Sequence, residues 1–192
     1  MFNKVVRIIL PVAFAAGSFI GAAAQMSETP SGNSASSSSA LSASDQQFIK
    51  KAAEGGLAEV QLGQLATEKA SSPEVKQFGQ RMVDDHSKAN DQLKQVASQK
   101  GVTVPDKLNA KDAATKAKLE KLSGEAFDRA YMKDMVTDHT KDVSEFKMAS
   151  KNAKDPDVKN FASQTLPTLE EHLKQAKSIA PKSATQTSQL TQ

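Results

Sequence analysis

The chain contains three histidines, and each directly follows an acid: Asp85-His86, Asp138-His139 and Glu171-His172. Two of them lie in near-copies of one stretch, Met82-Val83-Asp84-Asp85-His86-Ser87-Lys88 and Met135-Val136-Thr137-Asp138-His139-Thr140-Lys141. A looser echo runs Leu169-Glu170-Glu171-His172-Leu173-Lys174. Histidines grouped with carboxylates can do one of two things. As neutral imidazoles with a carboxylate they suit Zn, Cu or Fe. Alternatively, they hydrogen-bond one another and nearby carboxylates as a buried polar network that fixes helix register.

Either use requires that the three side chains point the same way. His86 falls four residues after Met82 and seven before Leu93, and His139 falls four after Met135 and four before Val143. His172 falls three after Leu169 and one before Leu173. All three therefore share the apolar stripe of their helices. Glu59 and His86 stand about equally far from the turn at Ser71-Ser72, so antiparallel packing sets them level. His139 and His172 differ by roughly five residues about the turn near Ala153, or about 7 Å of helix rise.

The expected layer is thus Glu59, His86, His139 and, less closely, His172, with Glu54 the acid of the first helix nearer the height of His172. Asp85, Asp138 and Glu171 sit about 100° round the helix from their own histidines. That places them to hydrogen-bond a histidine of a neighbouring helix, as outer ligands of metal sites do. The polar network is the first reading of this layer and the metal site the second.

The elements that must carry these residues are helices. Between a Ser/Ala-rich linker over 25–43 and a polar tail over 181–192, residues 44–180 show the apolar periodicity of four long helices and one short one. The first begins at Ser44-Asp45 and runs to about Ala70, inward along Phe48, Ile49, Ala52, Gly56, Glu59, Gly63 and Ala66. Ser72-Pro73 caps and starts the second, which ends at Gly101. Asn109 to Leu122 is short, with a thin apolar stripe. A long helix follows Ser123-Gly124, and Asp155-Pro156 starts the last, where Pro167 predicts a kink. No stretch alternates with period two. The expected fold is all-α, an antiparallel four-helix bundle with one short additional helix. Because the near-copy links the second and the third long helices, it speaks against simple duplication of a two-helix unit.

Composition narrows the function further. Lys4, Arg7, the apolar run Ile8 to Ile20 and Ala22-Ala23-Ala24 read as a signal peptide over 1–24, so the expected location is the periplasm or the outer-membrane surface. Loss of Lys4 and Arg7 lowers the net charge from +3 to +1, with no basic stripe, which argues against nucleic acid as a partner. The apolar run is too short for a span, and no integral membrane domain is expected. Zero cysteines exclude disulfides and a lipidated cysteine. Met82, Met132, Met135 and Met148 are soft donors for copper but read first as gap-filling core, and Tyr131 reads as a core aromatic with its hydroxyl on a partner. Gly55-Gly56 lies inside a helix and is no phosphate loop. Without a strand there is no platform for a nucleophile elbow.

The ordered set Gly55-Gly56-Leu57-Ala58-Glu59, Phe78-x-x-x-Met82-Val83-x-Asp85-His86, Phe127-Asp128-x-x-Tyr131-x-x-x-Met135-x-x-x-His139 and Leu169-x-x-His172-Leu173 resembles an exported bacterial family of unknown function, family 4142. Its members carry the label "putative outer membrane protein" and are related to ferritin-like bundles. The resemblance covers roughly residues 44–178. It implies a ferritin-like fold and a bacterial envelope location, and it brings no activity. Ferritin di-iron sites use Glu-x-x-His, whereas Val83, Val136 and Leu169 stand three before the histidines here.

The sequence therefore points to a non-catalytic envelope helical bundle with a mid-bundle Glu/His layer suited to a transition metal. Two alternatives stand beside it: a metal-storage or redox protein using that layer, and an envelope module that binds another protein through an exposed helix face. No oligomeric state follows from the sequence.

Overall fold

The structure is a computed structural model and describes residues 41–181; the expected signal peptide and most of the linker and tail lie outside the described residues. Among the described residues there are five helices: α1 (Ala43–Lys69), α2 (Pro73–Gln99), α3 (Ala110–Glu120), α4 (Gly124–Asn152) and α5 (Pro156–Ile179). No strand occurs among the described residues. None of these helices is long and apolar enough to cross a membrane.

Local chemistry sets the ends. Ser42 rather than Ser44 caps α1, its Oγ accepting from Asp45 N at 3.1 Å. Ser72, Asn109 and Asp155 cap α2, α3 and α5 in the same way. Each satisfies backbone N–H groups that a helix start leaves without partners. Gly101 closes α2 with φ of +66°, and Val102 N donates back to Ala97 O at 2.8 Å. This left-handed closure favours glycine. α5 continues unbroken through the exposed Pro167.

α1 pairs with α2, and α4 with α5, as antiparallel hairpins; α2 meets α5 and α1 meets α4 across them. The buried side chains fall into two clusters, one at each end of the bundle. Leu62 to Ala70, Val75 to Met82, Phe127 to Met135 and Ala176 pack together at one end. Ile49, Leu93, Phe146, Val158, Phe161 and Leu169 pack at the other. This membership fixes direction: α2 and α4 run the same way, and the segment carrying α3 returns the chain along the bundle between them. A single long crossover of this kind is the ferritin-like connection. α3 lies against α1 and α4, held by Leu119 in the core and by Asn109 Nδ2 donating to Glu54 Oε2 at 3.4 Å.

The hairpins are equivalent in a way that the histidine motif hides. Ala70-x-Ser72-Pro73-Glu74-Val75-Lys76-x-Phe78 and Ala153-x-Asp155-Pro156-Asp157-Val158-Lys159-x-Phe161 match at one constant offset. Asp45 and Asp128 are separated by that same offset and do the same work. Asp45 accepts from Lys154 N and Asp155 N at the α4–α5 turn, and Asp128 accepts from Ser71 N, Ser71 Oγ and Ser72 N at the α1–α2 turn. Each hairpin thus fastens the turn of the other. The expectation drawn against hairpin duplication is corrected on this point.

α1 and α2 approach closely where Gly63 meets Gly79. A Cβ on Gly79 would lie 2.8 Å from Gly63 O and 2.7 Å from Ala66 Cβ. Only glycine permits that contact without moving backbone. It brings Met82, and one turn later His86, in beside α1.

Candidate metal centre

Between the two apolar clusters lies one polar layer, to which each long helix contributes: Glu59 from α1, His86 from α2, His139 from α4 and His172 from α5. Glu59 is 1% exposed, His86 6%, and His139 and His172 are fully buried. One ring nitrogen from each histidine lies within 4.8 Å of the others. The ring centroids are 5.4–5.7 Å apart. The expected 7 Å offset of His172 does not keep it out of the layer. The short α4–α5 turn reduces it to about three residues, roughly 5 Å, and helical side chains lean toward their own N-terminus. Since α5 runs opposite to α2 and α4, His172 leans back toward the pair.

Hydrogen bonds at the far side of two rings fix their tautomers. His139 Nδ1 donates to Met135 O at 3.0 Å, because a carbonyl can only accept. His172 Nε2 donates to Asp85 Oδ2 at 2.8 Å, and Arg81 Nε donates to the same oxygen at 3.2 Å. Arg81 is itself held by Gln175. These contacts leave a lone pair on His139 Nε2 and on His172 Nδ1, both facing inward. Burial pushes all three imidazoles toward the neutral form, aided at His86 by the other two histidines and opposed at His172 by Asp85; His139 falls to about 4. For Asp85, hydrogen bonds from His172 and Arg81 outweigh partial burial and hold the carboxyl below its ordinary value.

Of the network expected among the histidines and nearby carboxylates, the His172–Asp85 link forms, whereas no histidine bonds another. Six buried polar side-chain atoms lack a hydrogen-bond partner among the described residues: both Glu59 oxygens, Tyr131 OH, His86 Nε2, His139 Nε2 and His172 Nδ1. All belong to this layer or its floor, and buried polar groups are otherwise paired almost everywhere in proteins. Tyr131, expected to place its hydroxyl on a partner, finds none. Its ring stacks on Phe127, and Phe78 packs edge-on against Tyr131, His139 and His172, closing the layer from below.

The other candidates divide. Glu59 stands outside the histidine triangle: its Oε1 is 3.7 Å from His139 Nδ1, the nitrogen turned away from the centre. Burial first, then Asp138, Asp142 and Asp134, raise its pKa well above the ordinary range. Asp138 faces Glu59 rather than a histidine of a neighbouring helix. Glu171 is exposed, and Glu54 serves Asn109 of the crossover instead of His172. Met82, Met132 and Met135 are core, while Met148, 57% exposed, is the one large hydrophobic that the described surface presents. Arg81, the Met135 carbonyl and the Tyr131 hydroxyl were not legible as parts of the site. The i, i+4 pair Arg81–Asp85 was the only hint in the sequence.

The centre fits a metal ion. A tetrahedral or trigonal ion bound by imidazoles at about 2.0–2.1 Å sets the nitrogens roughly 3.4 Å apart. The three nitrogens, within 4.8 Å of one another, would draw together around such an ion, and each would gain a partner.

The model of DUF4142, a domain of unknown function, matches residues 30–179. Among solved structures the fold is similar to a DUF305 fragment from Deinococcus radiodurans, at a TM-score of 0.64 and 16% identity over 72% of this chain and 96% of that one. It is also similar to CopM in its Cu(I)-bound form, at 0.58 and 20% identity over 70% and 93%. A conserved hypothetical protein, rv2844 from Mycobacterium tuberculosis, aligns at 0.56 and 15% identity over 73% and 95%. No curated protein matches the sequence.

Proposed function

The chain belongs to the DUF4142 family, and from that premise we propose that it is a non-catalytic binding protein for one transition-metal ion, held by His86, His139 and His172. The observation that carries this reading is the convergence of three buried imidazoles whose inward nitrogens have no partner. Copper is the first choice of ion. Imidazole donors suit it, a singly charged Cu(I) is the ion least penalised by an apolar cage, and CopM, which shares the fold, has been solved with Cu(I) and with Cu(II). Zinc is the second choice, since three histidines with an open fourth position also suit it.

In this reading each residue has a task. Asp85 orients His172 and strengthens it as a donor, the Met135 carbonyl does the same for His139, and Arg81 keeps Asp85 in place. Glu59, buried behind His139 and held toward its protonated form, can release that proton and so offset the added charge. The basic, apolar and small-residue pattern over 1–24 supports action outside the cytoplasm, which N-terminal sequencing of the purified protein would test.

The experiment is metal content of the full chain purified without chelator or affinity tag, followed by titration with Cu(I), Cu(II) and Zn(II). One equivalent bound, lost in His86→Ala and in His139→Ala, is the expected result. No uptake of any of these ions, with wild-type and variants alike, would sink the reading.

A further inference from the structure

A triangle of three ligands leaves a metal ion one side short, and the side left open here has a definite direction. Phe78 and Tyr131 close the layer toward one apolar cluster, and Glu59 fills the space behind His139. Toward α2 and α5 the layer meets a cavity of about 180 Å³ instead. Its wall includes two of the three histidines, His86 and His172. Leu169 and Asp85, whose carboxylate is taken up by His172 and Arg81, share the wall with polar or small residues, Lys88, Ala89, Gln92, Gln164 and Thr168 among them. His86 is the most exposed of the three histidines, and it lies on this wall.

The register explains the opening. On α5, Gln164, Thr168 and His172 follow one another at four-residue steps and form a single ridge, and on α2 Asp85, Ala89 and Gln92 face it. Where large apolar residues at these positions would seal the helices together, Ala89 and Thr168 leave a gap beside the imidazoles. Within the repeat, Thr168 and His172 of α5 correspond to Asp85 and Ala89 of α2, so the small residue that opens the cavity stands opposite the histidine that lines it.

We infer that this cavity holds the fourth coordination position of the centre and that the position accepts a small exogenous anion, with Lys88 at the rim supplying the attracting charge and the Gln and Thr side chains supplying donors. The inference rests on the three-histidine metal site proposed above and gives it an exchangeable position; a structural ion with a closed shell would have none. A catalytic or delivery site needs such a position, whereas a purely structural ion fills its shell with protein ligands.

Azide is the probe, because on Cu(II) it gives a charge-transfer absorption that neither component shows alone. Cu(II) is the ion of choice for loading, since it binds nitrogen donors most tightly among the divalent first-row ions. The full chain is loaded, its copper content measured, and azide then titrated while absorption and the electron paramagnetic resonance spectrum are followed. The expected result is saturable binding of one azide per copper. Thr168→Trp, which fills the cavity, should weaken it at least ten-fold, and Lys88→Glu several-fold, both at unchanged copper stoichiometry. Gln164→Trp, at an exposed position on the same ridge, repeats the block should Thr168→Trp fold poorly. A copper-loaded protein whose spectra ignore azide would overturn the inference and leave the metal site standing. So would azide binding of equal strength in wild type and both blocked variants. Copper content of zero before azide is added would overturn both.

Discussion

Asp85 of α2 accepts a 2.8 Å hydrogen bond from His172 Nε2 of α5, while its own neighbour His86 turns a different nitrogen into the same centre. One pair of adjacent residues thus supplies one proposed ligand and the orienting carboxylate of another. The arrangement ties the two hairpins together at the level where the metal is proposed to sit.

Asp85→Ala tests that tie. The residue is a third exposed, so its loss leaves no deep cavity, and the fold should persist. His172 would lose its fixed tautomer, and metal affinity should fall by about 10–100-fold, read by competition with a chromophoric chelator. Unchanged affinity would mean that Asp85 only anchors Arg81.

Replacing the triad tests the cost of the unpartnered atoms. Each buried polar group without a partner costs about 1–3 kcal/mol. His86→Leu, His139→Leu and His172→Leu combined should therefore raise the melting temperature of the metal-free protein, by roughly 2–4 °C per kcal/mol recovered for a chain of this size. The same variant should show no stabilisation by copper. A lower melting temperature would show that the layer is held by interactions of its own.

Acid and base act on opposite sides of the layer. The pKa of His139 falls to about 4 through burial, so the unfolded state takes up its proton first, and stability is lost as pH falls from about 6.5 to 4. Burial and then Asp138 raise Asp142 to about 7, so its contribution runs the other way, with stability lost as pH rises from about 4 to 7. The two windows overlap, and single variants separate them. Asp142→Asn should gain on wild type as pH rises from 4 to 7.5, and His139→Leu should gain as pH falls from 7 to 4. Thermal unfolding of metal-free protein at a series of pH values measures both; parallel curves would contradict the assignment.

The reciprocal turn anchors predict unequal costs. Asp45 is 2% exposed and Asp128 only half-buried. Asp45→Ala leaves Lys154 N and Asp155 N without their acceptor in a sheltered turn, at a cost of about 2–3 kcal/mol. Asp128→Ala lets water replace part of what is lost and should cost about half as much. Denaturant midpoints at constant slope would give the comparison; equal midpoints for the two variants would mean that burial does not govern it.

Much of this was fixed by the chain as written. Helix number, the caps at Ser72 and Asp155, and the inward phase of Glu59, His86, His139 and His172 follow from local pattern, because a helix repeats its faces by arithmetic. The pairing of residues across helices does not follow from that arithmetic. Only the packed bundle decided that Asp85 reaches His172 while Glu171 reaches solvent, that Glu59 stands behind His139 and not beside it, and that Asp45 fastens a turn more than a hundred residues away. Even the meaning of the Met82–Lys88 and Met135–Lys141 copies came from topology. The crossover carrying α3 sets α2 and α4 parallel, so the same local pattern delivers a histidine to the same height twice. Direction and azimuth of whole helices are set by the burial of two apolar clusters, and those are sums over the entire chain.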